Sequence, residues 1–231
     1  MRARRRDRPW VTVNFAITWD ARISTRKGTP ADFSSKGDKR RLLEIRAQAD
    51  AVLVGAGTVA KDTMTMGMPA ADLRAERVAR GQAPEPLRVV LSNSGRIDPD
   101  LRLFSVKAGP IVIFTSDRMV RRTREALAGK AELRISGGDV VDLPEMMRAL
   151  RRDFAVRQVD CEGGGQVCRS LLEADLVDEL YLTFCPKIFG GAKAPTITGL
   201  LGEYLPRAAR CTIESMEVVD GECFLRCRIR R

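Results

Sequence analysis

Two glycine-rich segments each follow an apolar stretch and precede a predicted helix, a pattern typical of phosphate binding. The first is Gly55-Ala56-Gly57-Thr58 and the second is Glu162-Gly163-Gly164-Gly165-Gln166. Glycine lets a backbone approach a ligand closely, and the amides at a helix N-terminus favour anions. Two such turns at one edge of a sheet would suit a ligand with a diphosphate, such as a dinucleotide. The alternative is that each segment is only a tight strand-to-helix turn.

Several polar residues near these turns could donate or accept protons. The pattern places Asn14, Asp20 and Glu162 at the ends of apolar strands, and Asp62 comes just after the first glycine turn. An acid in such a place can donate or accept a proton, or hold a polar heterocycle by hydrogen bonds. Each residue alone would more often be a cap or a surface charge. Together with the glycine turns, they predict one site.

The composition excludes several other kinds of chemistry. The 231 residues include no histidine, which removes Ser-His-Asp and Cys-His catalysis and His-ligated zinc. The six cysteines form no Cys-x-x-Cys pair, so we expect buried thiols and no metal site. No run reaches the roughly 18 apolar residues of a membrane span. With no secretory signal in view, we expect a cytoplasmic protein.

The formal charge of +10 lies mostly at the two ends of the chain. Residues 2–8 hold five arginines, and residues 226–231 hold four. Nucleic-acid binding usually needs a basic stripe with interleaved aromatic residues, and aromatics make up only 5% here. We therefore predict a disordered basic arm over residues 1–8 and one domain over residues 9–231. Polyanion binding by the arm is an alternative, and nucleic acid is not an expected partner.

The elements that must position these residues alternate between strands and helices. Apolar runs predict strands at 10–17, 51–54, 87–91, 111–115, 133–135, 156–161, 179–185, 213–219 and 223–229. Helices are predicted from a cap at Ser34 or Ser35, over 70–80, over 118–127 with Asp117 as cap, over 143–152, and through 171–172. Asp220-Gly221 is a hairpin signal. The order predicts a single α/β domain with a mixed, mostly parallel sheet and a C-terminal antiparallel hairpin.

Segments of the chain resemble, in consistent order, the reductase domain of riboflavin biosynthesis. The resemblance runs from about residue 8 to the C-terminus and is carried by residues 8–16, 46–59, 86–90, 162–165, 176–180 and 185–191. It implies a fold similar to that of dihydrofolate reductase. It also implies an oxidoreductase that uses NADPH to reduce the ribosylamino group of a pyrimidine ribosyl phosphate to a ribitylamino group. Members of this superfamily are commonly dimers, so we expect a homodimer.

The resemblance implies roles for residues on the cofactor side. The NADPH diphosphate would be held by Gly57, Thr58, Gly163, Gly164, Gly165 and Gln166. Asn93, Ser94 and Thr115 would lie near the adenosine half. NADPH is expected over NADH, because a 2′-phosphate favours arginine and the chain has many.

The resemblance also implies roles on the substrate side. Asn14, Asp62 and Glu162 would face a phosphorylated pyrimidine, and Ser34 and Arg46 would contact its ribose phosphate. Asp62 and Glu162 are the candidate catalytic residues, for proton transfer and hydrogen bonding. Bacterial bifunctional enzymes tend to have lysine where Asn14 stands, so this chain is more similar to the archaeal and fungal single-function type.

The chain departs from the family pattern in the segment after Asp62. The proline and the terminal arginine of the family motif are absent between Thr63 and Pro69. That arginine would contact the substrate phosphate, and Met68 or Pro69 cannot replace a guanidinium. A reductase of the same fold that acts on another pyrimidine, a pteridine or a carbonyl compound is therefore the alternative function. Residues 61–86 are predicted to form a long functional loop.

Overall fold

The computed structural model describes residues 7–25, 33–199 and 204–230, which form one nine-stranded sheet with seven helices. The strands are β1 (Trp10–Thr18), β2 (Ala51–Gly55), β3 (Leu87–Ser92), β4 (Ile111–Ser116), β5 (Glu132–Ser136), β6 (Gln158–Cys161), β7 (Glu179–Cys185), β8 (Arg210–Val219) and β9 (Glu222–Arg230). The helices are α1 (Lys36–Gln48), α2 (Ala56–Lys61), α3 (Ala71–Ala79), α4 (Arg102–Ser105), α5 (Arg121–Leu127), α6 (Leu143–Asp153) and α7 (Gly165–Glu173).

The strand order across the sheet is β5-β4-β3-β2-β6-β1-β7-β9-β8. The seven strands from β5 to β7 are parallel, and β9 and β8 add an antiparallel edge. This confirms the predicted α/β class and the C-terminal hairpin. Asp220 and Gly221 have φ angles of 51° and 81°, the positive values that a type I′ turn requires.

The core covers both faces of the sheet, because alternate residues of a strand point to opposite sides. Val11, Val13 and Phe15 of β1 belong to the same buried cluster as residues of α6 and α7. Asn14 lies between two of them in sequence and points to the opposite face, where it lines a cavity together with residues of α1. The parallel strand β2 is buried along its whole length, which explains its continuous apolar sequence.

Some details of the predicted elements are wrong, among them the start of β8, which is Arg210 rather than residue 213. Helix α5 begins at Arg121 rather than at residue 118, because Met119 N–H bonds to Ser116 C=O in a turn. Asp117 therefore caps no helix, and its carboxylate accepts a hydrogen bond from Gly138 N–H at 3.0 Å. Strand β6 begins at Gln158 rather than 156, and Ala155 before it has a positive φ of 55°. The short helix α4 was not predicted.

The N-terminal boundary also differs from the predicted one. Arg8, assigned to the disordered arm, forms a bidentate ion pair with Asp178 at 2.7 and 2.9 Å. The folded part therefore includes Arg8, and residues 1–6 of the predicted arm lie outside the described residues. Across the described ranges, no helix combines the length and apolarity needed to cross a bilayer. Five of the six cysteines are buried free thiols, as expected, and Cys211 is exposed.

Candidate active site

A cavity of about 400 Å³ lies at the carboxyl edge of the parallel strands, between the sheet and helix α1. In an open α/β sheet this edge is where ligands bind. The residues that line the cavity come from β1, α1, α2, α7 and the loops that follow the strands: Asn14, Phe15, Ala16, Ile23, Ser24, Ser34, Asp38, Lys39, Leu42, Thr58, Lys61, Asp62, Met64, Glu162, Gly164, Gly165 and Pro195.

The cavity brings together seven of the predicted site residues. These are Asn14, Ser34, Thr58, Asp62, Glu162, Gly164 and Gly165. Asn14 does not stand at a strand end, as the sequence predicts, but in the middle of β1. Strand β6 pairs with β1 only as far as Val13, so Asn14 is the first residue of β1 beyond that neighbour. The early end of β6 thus opens the sheet edge at Asn14.

Glu162 is held by an ion pair with Arg46. Arg46 Nε and Nη2 donate to the two Glu162 carboxylate oxygens at 2.6 and 2.7 Å, and the two side chains are only 7% and 2% exposed. Burial alone would lower the pKa of Arg46, but the charge and hydrogen bonds of Glu162 hold that pKa above its ordinary value. Arg46 Nη1 donates to Gly67 C=O. Arg46 does not line the cavity, so the structure corrects its predicted contact with a substrate phosphate.

Asp62 is the second acid of the cavity and has a different environment. It ends helix α2 and is half-buried. Burial raises the pKa of its carboxyl group, and the charge of Lys61 opposes that shift. Across residues 7–25, 33–199 and 204–230, its carboxyl group forms no hydrogen bond or ion pair. A group of this kind can change its protonation state during a reaction.

The two glycine turns contact each other. Gly55 N–H donates to Gly163 C=O at 2.9 Å, and a Cβ on Gly164 would lie 2.6 Å from Thr58 Oγ1. A Cβ on Gly165 would lie 2.5 Å from Thr196 C=O. The close approach of backbone therefore requires glycine at position 165, whereas a side chain at position 164 would displace the Thr58 hydroxyl. Helix α7 begins here with no side-chain cap, and both Gly164 and Gly165 line the cavity.

The other predicted cofactor residues lie outside the cavity. Gly57 is exposed beside open space, Gly163 packs against Phe15, and Gln166 packs against Gly199. Asn93 Oδ1 accepts from Val141 N–H at 2.9 Å, and Ser94 Oγ accepts from Arg96 N–H at 3.3 Å.

Thr115 is fully buried, and its hydroxyl donates to Ser92 C=O at 2.7 Å. Its side chain therefore has neither an accessible surface nor a free donor for a ligand, and the placement of Thr115 near the adenosine half stays a prediction.

Asp20 also lies outside the cavity. Its carboxylate accepts hydrogen bonds from Thr18 Oγ1 at 2.6 Å and from the amides of Phe189 and Gly190 at 3.1 and 2.7 Å. The hydrogen bond from Thr18 is the main reason why its pKa falls to about 2. Asp20 therefore fixes the loop after β7 and is not part of the predicted site.

Sequence reasoning missed three charged residues of the cavity, Asp38, Lys39 and Lys61. They belong to helices whose ends are rich in charged residues, so their types alone do not distinguish them from a solvated surface. The spacing of Ser35, Asp38 and Leu42 at intervals of three and four could have placed Asp38 on the face of α1 that carries Leu42, whereas no such spacing identifies Lys61.

Asp160, also missed, is fully buried in β6. Among the described residues neither of its oxygens has a hydrogen-bond partner. Burial and the charge of Glu162 raise the pKa of Asp160 well above its ordinary value.

The fold and the cavity define a single α/β domain in which two glycine turns lie beside a pocket that contains acids. A family model described as the RibD C-terminal domain matches residues 9–223. The chain is 33% identical to the 2,5-diamino-6-ribosylamino-4(3H)-pyrimidinone 5′-phosphate reductase of Archaeoglobus fulgidus, over 94% of this chain and 96% of that protein. The chain belongs to the RibD C-terminal domain family.

Further comparisons agree with this assignment. The enzyme of the same name from Methanothermobacter thermautotrophicus is 32% identical over 82% of this chain and 83% of its own length. The structure of a pyrimidine reductase-like protein from Corynebacterium diphtheriae matches with a TM-score of 0.82 and 21% identity, over 96% of this chain and 92% of that one. At that identity the likeness shows the shared fold.

Proposed function

We propose that this chain is an NADPH-dependent reductase that converts the ribosylamino group of a pyrimidine ribosyl phosphate into a ribitylamino group. The observation that carries the proposal is the cavity, which is lined by Gly164 and Gly165 of the second glycine turn and by the polar side chains of Asn14, Asp62 and Glu162. Two archaeal relatives that span most of the chain are named for the reduction of such a pyrimidine. The proposal therefore combines a site of suitable chemistry with the family to which the chain belongs.

The glycine turns fit a diphosphate. Nothing lies within 4 Å of the position that a Cβ on Gly57 would take, and α7 begins at Gly165 without a side-chain cap. The first amides of α7 and the Thr58 hydroxyl would hold the diphosphate of NADPH, because helix N-termini favour phosphate groups. When bound, this cofactor supplies the hydride. Asn93 and Ser94 lie along the same sheet edge, where we place the adenosine half.

The substrate phosphate needs cations other than Arg46. Arg46 is held by Glu162, and among the described residues the cations that line the cavity are Lys39 and Lys61. Lys39 lies in the first turn and a half of α1, and Ser34 lies just before that helix. This end of α1 combines a helix N-terminus, a hydroxyl and an ammonium group, which together suit a phosphate.

Reduction at ribose C1′, in its ring-opened imine form, needs a proton on the substrate as well as the hydride. Asp62 is suited to deliver that proton, since its carboxyl group is unpaired within the described ranges and burial raises its pKa. Glu162 keeps a fixed orientation through Arg46 and would accept a hydrogen bond from the pyrimidine. Apolar lining from Leu42 and Met64 would exclude water from the reacting atoms.

One observation favours a second candidate, a reductase of the same fold with a different substrate. Met66 and Met68 stand where the family motif leads to its phosphate-binding arginine, and both are only 1% exposed. Met68 N–H also donates to Glu85 at 2.8 Å. This segment therefore packs into the protein and offers no cation to a ligand.

The direct test is turnover by the purified chain. With NADPH and a ribosylaminopyrimidine 5′-phosphate, we expect loss of NADPH absorbance and a product that is two hydrogens heavier by mass spectrometry. NADH should bind less tightly than NADPH, and rescue of a riboflavin-requiring strain would show the activity in cells. NADPH binding without turnover of any such pyrimidine would contradict the first candidate and favour the second.

The homodimer expected from the family has a candidate surface on β8. A register shift between Ile213 and Ser215 places Ile213, Met216 and Val218 on one face of the strand, and all three are more than half exposed. Contiguous apolar side chains on an exposed strand are a common interface for a second copy. Light scattering of the chain and of Met216→Glu should give a dimer and a monomer, respectively.

A further inference from the structure

Strand β9 carries an arginine at every second position near its end, at Arg226, Arg228 and Arg230. Because side chains alternate along a strand, these three lie on one face of the sheet, and Cys227 between them is buried on the other. Arg210 of β8 is directly opposite Arg230, so it lies on the same face as the three. These four arginines form the arginine face.

Two members of the arginine face have no acid to balance them. Within the described part of the chain, the side chains of Arg210 and Arg230 form neither an ion pair nor a hydrogen bond. They line a groove of about 360 Å³ with Arg207 and Asp175. Like charges directly opposite each other destabilise a pair of strands. Such a local conflict is typical of a functional surface, here one that meets an anion.

The other two members of the arginine face lie over aromatic rings. Arg228 is 4.4 Å from the centre of the Trp10 ring, and Arg226 is 5.7 Å from the centre of the Tyr181 ring. These residues come from β9, β1 and β7, which are neighbours in the sheet but not in the sequence. The sheet therefore assembles a basic stripe with interleaved aromatic residues, the pattern that binds single-stranded nucleic acid.

Nearby acids reduce the charge of the arginine face without covering it. Arg226 pairs with Glu179 at 2.6 Å, and Arg228 pairs with Glu214 at 2.8 Å. The two arginine side chains nevertheless remain 41% and 35% exposed. Glu217 lies on the same face but closer to the hairpin turn. Because a guanidinium group has five N–H donors, each paired arginine can also bind a phosphate oxygen.

The beginning of the folded chain lies at the same edge of the sheet. Arg8 is bound to Asp178, and Asp178 C=O accepts a hydrogen bond from Ile229 N–H at 3.0 Å. Residues 2–6 precede this point in the sequence and hold four arginines. The two arginine-rich parts of the sequence therefore join the fold at one edge. It is the edge opposite the cavity, which lies at the carboxyl ends of the parallel strands.

We propose that the arginine face binds a single strand of nucleic acid through its phosphates, without regard to base sequence. Guanidinium groups bind phosphate oxygens in pairs, and a base can stack on an aromatic ring or on a guanidinium plane. Ile213 and Met216, which we assign to the homodimer, are opposite Cys227 and Leu225 and lie on the other face of the hairpin. A dimer of that kind leaves the arginine face open.

The test measures binding of a fluorescein-labelled oligothymidylate of about 20 nucleotides by fluorescence anisotropy at several salt concentrations. For a single strand, each phosphate contact contributes about 0.7 to the slope of log affinity against log salt concentration. Arg210→Gln/Arg230→Gln removes two contacts, so the slope should become shallower by about 1.4. Affinity at 0.1 M salt should fall by about 10-fold.

Two control proteins separate a contact from a general effect of charge or folding. Arg102→Gln/Arg122→Gln removes the same charge from exposed positions of α4 and α5, which pack beside β3 and β4, and should leave the slope unchanged. Arg210→Lys/Arg230→Lys keeps the charge and should keep most of the slope, with weaker binding because lysine is not bidentate.

An unchanged slope in Arg210→Gln/Arg230→Gln would overturn the proposal. A chain without residues 2–6 that no longer binds, together with normal binding by the glutamine variant, would also overturn it and assign the binding to those residues. Equal affinity for inorganic polyphosphate, or tighter binding of a duplex than of the single strand, would overturn the assignment to single-stranded nucleic acid. Reduction with NADPH should be the same in the glutamine variant and the unmodified chain.

Discussion

Glu162 and Asp62 are two acids in one cavity whose surroundings differ in kind. Glu162 is 2% exposed and held by two hydrogen bonds from Arg46. Asp62 is half-buried, has no partner in the described ranges, and has a pKa raised by burial. A buried carboxylate that is paired with a cation keeps a fixed position. A buried carboxyl group without an ion pair has a raised pKa and can change its protonation state. We therefore assign orientation of the substrate to Glu162 and proton transfer to Asp62.

The largest effect should come from breaking the ion pair at Arg46. Arg46→Met leaves the Glu162 carboxylate buried without a cation, which should lower the free energy of unfolding by about 3–5 kcal/mol. Urea unfolding measures this change. Arg40→Met is the control from the same helix, because Arg40 pairs with Glu44 on the surface and should contribute little. Equal losses in the two variants would contradict the assigned role of Arg46.

Glu162→Gln tests the orienting role directly. The amide keeps the shape of the side chain but loses its charge, so kcat/KM should fall by about 10³-fold. NADPH binding, measured by fluorescence titration, should be nearly unchanged. Turnover near that of the unmodified chain in both Glu162→Gln and Asp62→Asn would overturn the assignment of the two acids.

Asp62→Asn tests the proton-transfer role and should lower kcat by about 10²-fold. A proton donor is active in its protonated form, so the rate of the unmodified chain should fall as the pH rises through the pKa of Asp62. Because burial raises that pKa, the decrease should lie above the ordinary range of an aspartic acid. Asp62→Asn should show no such decrease. An unchanged pH profile in the variant would assign the titration to another group.

The place of the two acids could be predicted from the sequence, but the contrast between them could not. Continuous apolar runs predicted β2, β3 and β4, and the glycine turns placed Asp62 and Glu162 near one site, as the structure shows. The ion pair joins residues 116 positions apart. It forms because β6 inserts between β2 and β1, and no local pattern in the sequence reveals that insertion.

The environments of two other residues were not predicted, for related reasons. Asp38 stands in the charged stretch 36–41, which has the composition of a solvated helix surface. Thr115 has the type and the place of a ligand contact, but every residue of β4 is buried, so neither face of this strand is open to a ligand. The period of the apolar residues predicts which side chains share a face of a strand or helix. Tertiary packing decides which of these faces is accessible to a ligand.

The smallest effect should come from Lys61, which adjusts Asp62 from the surface. Its charge lowers the pKa of Asp62, so Lys61→Gln should raise the apparent pKa in the kcat profile. Because Lys61 is exposed, its effect should be screened, and the difference between the two proteins should disappear at about 1 M salt. Lys36→Gln, on the exposed start of α1, is the matched control and should leave the profile unchanged. A shift that survives high salt would mean that Lys61 contacts the substrate rather than acting on Asp62 through its charge.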